Sequence, residues 1–197
     1  LKPLNKKAEI LIIFFHGWGS NGDDLIQLAP LFAKHFPSAY FLSPNGPEEC
    51  PQNPFGGKQW FGLDFNSNGG IDRSNMPQKV SSAAENVNKF IKHWQNELSI
   101  SNEKTILIGF SQGSMLSLEV GTNNLFGGLL CYSGSYIKNN RPLTSKHKIM
   151  LIHGELDEVI PIQSMENAKS TLENLGATVN SYISKNLGHS IDQDGIN

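Results

Sequence analysis

Residues 105–115 read TILIGFSQGSM, a serine with a glycine two positions before it and another two positions after it. A serine on a sharp turn between a strand and a helix is held in strained backbone geometry with its Oγ projecting outward. The residues two before and two after it then pass very close to each other. Only glycine or another very small side chain fits there, and Gly109 and Gly113 meet that need. Five residues alone would be weak grounds, because solvent-exposed turns also use Gly and Ser. The flanks raise the reading: Ile106, Leu107 and Ile108 form a buried-strand run leading in, and residues 112–120 can form a helix leading out. Ser111 is therefore read as a nucleophile, which sets what the rest of the chain must supply.

The chain has 197 residues, which fits one domain, 1–197, with a substantial single core. Its 16 basic and 18 acidic residues give a formal net charge of -2 and form no long run of one sign. That argues against a nucleic-acid surface and against a polybasic membrane patch. Cys50 and Cys131 lie far apart and belong to no Cys/His ligand cluster. They read as free thiols of a reducing compartment and support no metal site. The early apolar run, residues 10–15, is far below the roughly 18 residues a membrane span requires, and it lacks signal-peptide flanks. A cytoplasmic protein without an integral membrane segment is expected. The chain begins at Leu1 and not at a methionine, which leaves room for a leading segment.

Ile10-Leu-Ile-Ile-Phe-Phe15 is uniformly apolar, the composition of a strand covered on both faces. It ends in the glycine-rich turn His16-Gly17-Trp18-Gly19-Ser20-Asn21-Gly22, at the strand end where ligands sit in open α/β sheets. From Asp24 onward, Leu25, Leu28, Phe32 and Phe36 recur at helical spacing, with Asp23 or Asp24 suited to the cap position. A strand over 39–42 follows, and then an irregular stretch over 43–76 rich in Pro, Gly and Asn. A loop of that length in a compact domain is usually functional or disordered. Phe55, Trp60, Phe61 and Phe65 favour a folded loop, because disordered segments are poor in aromatics. Those rings either staple the loop to the core or line an apolar substrate groove beside the serine.

Val80, Ala84, Val87, Ile91, Trp94 and Leu98 mark an amphipathic helix over about 78–99. Beyond the serine, strands are expected over 128–132, 148–153 and 179–183, with a helix over roughly 163–175. Strands alternating with helices imply an α/β fold, a mostly parallel central sheet with helices on both faces.

A serine hydroxyl needs a general base within hydrogen-bond reach and a carboxylate to orient that base. His153-Gly-Glu-Leu-Asp157-Glu-Val-Ile-Pro161 follows a strand directly, and Gly188-His189-Ser190 follows the last strand, so both loops lie at the sheet edge of Ser111. The order Ser, Asp, His is that of the α/β-hydrolase arrangement. Glu155 and Glu158 compete with Asp157 as the orienting acid. His35, His93 and His147 read as surface residues, whereas His16 and His153 read as ligands of loop backbone groups.

HGWGSNG, GKQWF, GFSQGS, HGELDEVIP and GHS together resemble the phospholipase/carboxylesterase family, which includes the acyl-protein thioesterases, over about residues 10–190. The resemblance implies an α/β-hydrolase fold with Ser111 as nucleophile, Asp157 as the acid that orients and His189 as the base. It maps the oxyanion hole to the backbone N–H groups of Trp18 and Gln112. The ring of Trp18 can pack in the core while its backbone donates. The first loop reads HGWG and not the HGGG of many lipases, which points to a small hydrolase with a simple hole. The departure lies at the end, where only residues 190–197 follow the histidine and family members usually continue into a closing helix.

The implied chemistry is a two-step acyl transfer on a small ester or thioester, short- to medium-chain or lysophospholipid, with no cofactor and no metal. Activity is expected to fall below roughly pH 6 to 6.5, where an unperturbed imidazole protonates. Trp60, Phe61, Leu63 and Val159, beside Trp18, are candidates for an apolar acyl groove. The reading from a different class is a catalytically silent protein of this fold that binds a ligand in the same pocket. A monomer or a homodimer both fit.

Overall fold

The computed structural model describes residues 1–3, 7–137 and 142–197. In chain order the strands are β1 (Ile10–Phe15), β2 (Ala39–Leu42), the two-residue strands β3 (Glu48–Glu49), β4 (Lys58–Gln59), β5 (Asp64–Phe65) and β6 (Ile71–Asp72), then β7 (Thr105–Phe110), β8 (Gly128–Tyr132), β9 (Lys148–Gly154) and β10 (Thr178–Ser184). The helices are α1 (Gly22–Leu25), α2 (Ala29–Ala33), α3 (Met76–Leu98), α4 (Gln112–Asn123), α5 (Gln163–Asn174) and α6 (Gln193–Ile196). Six strands form one parallel sheet in the order β10-β9-β8-β7-β1-β2. This is the mostly parallel sheet that the alternation predicts, and it is consistent with the α/β-hydrolase fold that the resemblance implies.

Strand β1 shows why its composition is so apolar. Successive side chains point to opposite faces, and Leu11, Ile13 and Phe15 enter one core while Ile12 and Phe14 enter another. The first core is covered by α3, α4 and α5, through residues such as Val80, Leu116, Met165 and Leu172. The second is covered by α1 and α2, through Leu25, Ala29 and Phe32, together with Ile196 of α6. Both faces are dry where β1 runs, so alternation with polar residues has no room there.

The first helical segment departs from the expected form. Asn21, not Asp23 or Asp24, is the cap, its Oδ1 accepting the N–H of Asp24 at 3.0 Å. The two aspartates lie in the first turn, where negative charge meets the positive end of the helix dipole. The single helix read from Asp24 onward is also divided, into α1, a 3₁₀ turn at Ile26–Leu28 and α2. Pro30 explains the break: it has no N–H to continue a helix from the preceding turn and occupies the first turn of a new one. The long helix α3 begins at Met76, two residues before the expected start, with Pro77 likewise in its first turn.

The 43–76 loop is folded around two small antiparallel ladders, β3 with β4 and β5 with β6. Of its four aromatics, Trp60 and Phe61 are buried, whereas Phe55 and Phe65 are exposed. The chain after His189 is tied down by α6. Asp192 caps that helix through Gly195 N–H at 2.8 Å and also accepts from Ser184 Oγ at 2.9 Å. Tyr132 Oη donates to Gly195 O at 2.9 Å. Among the described residues no helix is long and apolar enough to cross a membrane.

Candidate active site

A parallel sheet gathers the carboxyl ends of its strands on one edge, and ligands bind there. Gly109 of β7 pairs in register with Phe15 of β1 and Cys131 of β8, so the loops after these three strands start side by side. Ser111 lies at the turn into α4 with φ 53° and ψ -114°, a conformation costly to a residue with a Cβ. Its N–H donates to Tyr132 O at 2.9 Å, which ties the strained residue to the neighbouring strand end. Gly109 acts as its spacing predicts, crowded by Gly113, whereas Gly113 is held small by the end of β1. A Cβ on Gly109 would lie 2.3 Å from Gly113 O, and one on Gly113 would lie 1.9 Å from Phe15 O.

The hydroxyl meets the two partners read from the sequence. His189 Nε2 lies 2.9 Å from Ser111 Oγ, and His189 Nδ1 lies 2.7 Å from Asp157 Oδ2. The other carboxylate oxygen, Oδ1, accepts the N–H groups of Val159 at 3.0 Å and Ile160 at 2.8 Å. Burial pushes the Asp157 carboxyl up, but the hydrogen bonds from His189, Ile160 and Val159 outweigh it and hold the group below the usual carboxylate range. An ionised Asp157 can only accept, so the neutral His189 ring carries its proton on Nδ1 and turns a lone pair on Nε2 toward the serine. The Phe110 ring lies against the imidazole with centroids 4.9 Å apart.

The competing acids are elsewhere engaged. Glu155 accepts the N–H of Asn186 at 3.1 Å, and Glu158 is exposed. His153 donates from Nε2 to Ile160 O at 2.7 Å, and its Nε2 lies 3.4 Å from Asp157 Oδ2. It braces the carboxylate loop, as its reading as a backbone ligand anticipates. His16 is likewise a brace. Nε2 accepts Gly46 N–H at 2.9 Å, so the ring proton is on Nδ1 and donates to Gly17 O at 2.7 Å.

Two backbone N–H groups remain beside the serine. Gln112 opens α4, and the first N–H groups of a helix have no carbonyl one turn back. A methyl on Gly17 would touch the Ser111 Cβ at 3.4 Å, so the His16-Gly17-Trp18 turn is laid against the nucleophile. The backbone N–H of Trp18 has no partner among the described residues. Its indole N–H donates to Gln59 Oε1 at 2.9 Å, which fixes the half-buried ring in the loop framework.

A part of the site that the sequence does not announce is the side chain of Gln112. Its Oε1 accepts Trp60 N–H at 2.8 Å and its Nε2 donates to Phe61 O at 2.8 Å. One amide thus fastens the long loop to the residue after the nucleophile. The residues read as a groove divide accordingly. Trp60 and Phe61 are buried and border clefts with Ala83 and Asn86 of α3, and the Trp60 indole donates to His16 O at 2.9 Å. Leu63 packs half-buried against the same core. Val159 is the exposed one, at 65%, on the loop that carries Asp157.

Acid stability reads out the His16 brace. Burial pushes its imidazole below the usual range, against the opposing Gly17 hydrogen bond and the Asp24 charge. The unfolded chain then takes up a proton near pH 6.5 that the folded chain still refuses, so stability is full above that pH and is lost as pH falls through the folded value. The Asp157 contribution, depressed from 3.8, is lost only below that lower range. The urea midpoint is expected to drop between pH 7 and pH 5, and to drop less in His16→Gln, which keeps an acceptor but cannot titrate. Equal drops in the two proteins would assign the slope to other groups.

A family model described as Phospholipase/Carboxylesterase matches residues 2–197. Esterase YpfH of Escherichia coli (strain K12) is 30% identical over 190 residues, which cover 95% of this chain and 79% of that protein. Acyl-protein thioesterase 1 homolog 1 of Dictyostelium discoideum is 27% identical over 190 residues, covering 90% of this chain and 82% of that one. Among solved structures, that of esterase PE8 superposes with a TM-score of 0.88 at 32% identity, covering 100% of this chain and 92% of that one.

Proposed function

The chain belongs to the phospholipase/carboxylesterase family, and from that membership we propose that it is a serine carboxylesterase or thioesterase acting on short- to medium-chain acyl esters or thioesters through a Ser111 acyl-enzyme. The observation that carries the reading is the unbroken relay from Ser111 Oγ to His189 Nε2 at 2.9 Å and from His189 Nδ1 to Asp157 Oδ2 at 2.7 Å.

Ser111 Oγ attacks the acyl carbon while His189 Nε2 takes its proton, and Asp157 stabilises the imidazolium that forms. The carbonyl oxygen gains negative charge and is met by the N–H groups of Gln112 and Trp18. Losing one such donor typically costs about 10²–10³ in turnover. The tetrahedral adduct collapses, His189 returns its proton to the departing alcohol or thiol, and the acyl group stays on Ser111. Water then attacks the acyl-enzyme with His189 as base, releasing the acid and restoring the serine. A ligand-binding protein without activity has no need of the strained serine conformation or of a carboxylate held ionised behind the imidazole.

The test is hydrolysis of p-nitrophenyl esters of increasing acyl length, with a fluorophosphonate probe as a label. Turnover is expected with a maximum at a short or medium acyl length, together with a single adduct on the peptide that contains Ser111. Folded protein that neither turns over nor labels would return the chain to the silent reading.

A further inference from the structure

Next to the elbow lies a second polar recess that the relay does not use. Arg73 faces it from the long loop, Ser135 and Tyr136 from the segment after β8, and Ser164, Asn167 and Thr171 from α5. The last three recur at helical spacing and share one face of α5. The recess has a volume of about 140 Å³. That is room for a small polar group such as a carboxylate or a phosphate.

Its chemistry is one-sided. Among the described residues Arg73 is the cation that lines the recess, the other lining groups are neutral, and Arg73 makes no ion pair. The nearest acid in sequence, Asp72, interacts with Ser74, Asp64 and Lys79 and not with Arg73. Ser135 is 93% buried, from its 7% exposure, and among the described residues its Oγ has no hydrogen-bond partner. A buried hydroxyl without a partner that borders a recess is a group a ligand there can satisfy. Guanidinium and hydroxyl donors without a carboxylate among them suit an anion with two or more oxygens, which arginine binds bidentately.

The recess is also in the right place. A Cβ on Gly134 would lie 2.3 Å from Ser114 Oγ and 3.2 Å from Ser111 O, so Gly134 is pressed against the elbow. Ser135 is the next residue, one Cα step of about 3.8 Å along the chain.

Resting on the esterase reading above, we propose that the Arg73–Ser135 recess is a subsite for an anionic carboxylate or phosphate group carried by the ester, so that acidic esters are favoured over neutral ones of the same length. The anion has two possible origins, the far end of a dicarboxylic acyl group or the phosphate of a glycerophosphate alcohol. Two pairs separate them: mono-4-nitrophenyl glutarate against 4-nitrophenyl valerate, and 1-butyrylglycerol 3-phosphate against 1-monobutyrin.

In one pair the anionic ester is expected to have the higher kcat/KM. The ratio of anionic to neutral ester is expected to fall by about 10- to 100-fold in Arg73→Gln, the effect of one hydrogen bond to a charged group. It should fall less in Ser135→Ala. The pair that responds identifies the origin of the anion. Binding of glutarate and of glycerol 3-phosphate, read by thermal shift, gives a measure independent of turnover, and stabilisation by one of them is expected in the wild type and not in Arg73→Gln. A wild type that prefers the neutral ester in both pairs, ratios that Arg73→Gln leaves unmoved, or stabilisation by neither anion overturns the subsite. Anion binding that depends on Arg73 in a protein without ester turnover would uphold the subsite and sink the esterase reading alone.

Discussion

Ser111→Ala is expected to lower ester turnover by about 10⁶-fold, the scale seen when a triad nucleophile is removed, and to abolish fluorophosphonate labelling while the protein stays folded. The serine contributes to the fold through its backbone. Its N–H donates to Tyr132 O, and its carbonyl accepts from Ser114 and Met115 at the start of α4. Alanine retains all three bonds. The side chain has a single described partner, His189 Nε2 at 2.9 Å, and losing it leaves a partly exposed imidazole that water can serve. Alanine also carries the same Cβ through φ 53° and ψ -114°, so the elbow keeps its shape. The urea midpoint should therefore match the wild type while activity vanishes. Residual labelling in Ser111→Ala would place the reactive hydroxyl elsewhere.

How much of this was readable in advance depends on whether the determining contact is local. The strand of residues 10–15 was legible because five consecutive residues are fully buried on two faces, and only uniformly apolar sequence survives that. The need for Gly109 was legible because its steric conflict lies with Gly113, four residues on, whereas the conflict at Gly113 is with Phe15 O of β1, which the five-residue pattern does not reveal. The order Ser111, Asp157, His189 was legible because each follows a strand of one parallel sheet, which fixes the edge where all three emerge.

The division of the first helix was partly legible, since Pro30 stands in the chain as a breaker. The cap was not: Asn21, Asp23 and Asp24 are all good caps, and the choice rests on how the turn leaves β1. The Gln112 amide clamp reaches Trp60 and Phe61 across 52 and 51 residues, and no pattern in either stretch announces the other. The same limit applies to the groove. Trp60 and Phe61 face the core of α3 because that clamp and the Trp60 indole bond to His16 turn them there. Arg73 and Ser135, 62 residues apart in the chain, share a recess because the segments before α3 and after β8 meet beside α5.

Asp157→Asn is the second large loss, about 10³–10⁴ in turnover with little change in stability. The reason lies in the two sides of the carboxylate. Oδ1 faces two N–H donors, Val159 at 3.0 Å and Ile160 at 2.8 Å, so the asparagine oxygen must stand there. The amide NH₂ is then forced to the Oδ2 side, 2.7 Å from His189 Nδ1, where it donates. His189 Nδ1 becomes an acceptor, the ring proton moves to Nε2, and Nε2 can no longer take the proton of Ser111. The opposite amide orientation would bury NH₂ against two N–H groups and costs more. Asp157→Ala should behave differently, because it leaves the Val159 and Ile160 N–H groups unpaired at about 1–3 kcal/mol each for those that water cannot reach. It is expected to lose stability as well as activity. The carboxyl is depressed in the folded protein, so its ionic contribution to stability is present above the unfolded value of 3.8 and is lost as pH falls through the folded value. Asparagine removes that part of the acid limb, and the acid-unfolding curve of Asp157→Asn should be shallower below about pH 4. Activity within tenfold of wild type in Asp157→Asn would mean that His189 keeps its tautomer without the carboxylate, and the orienting role would have to be sought in another group.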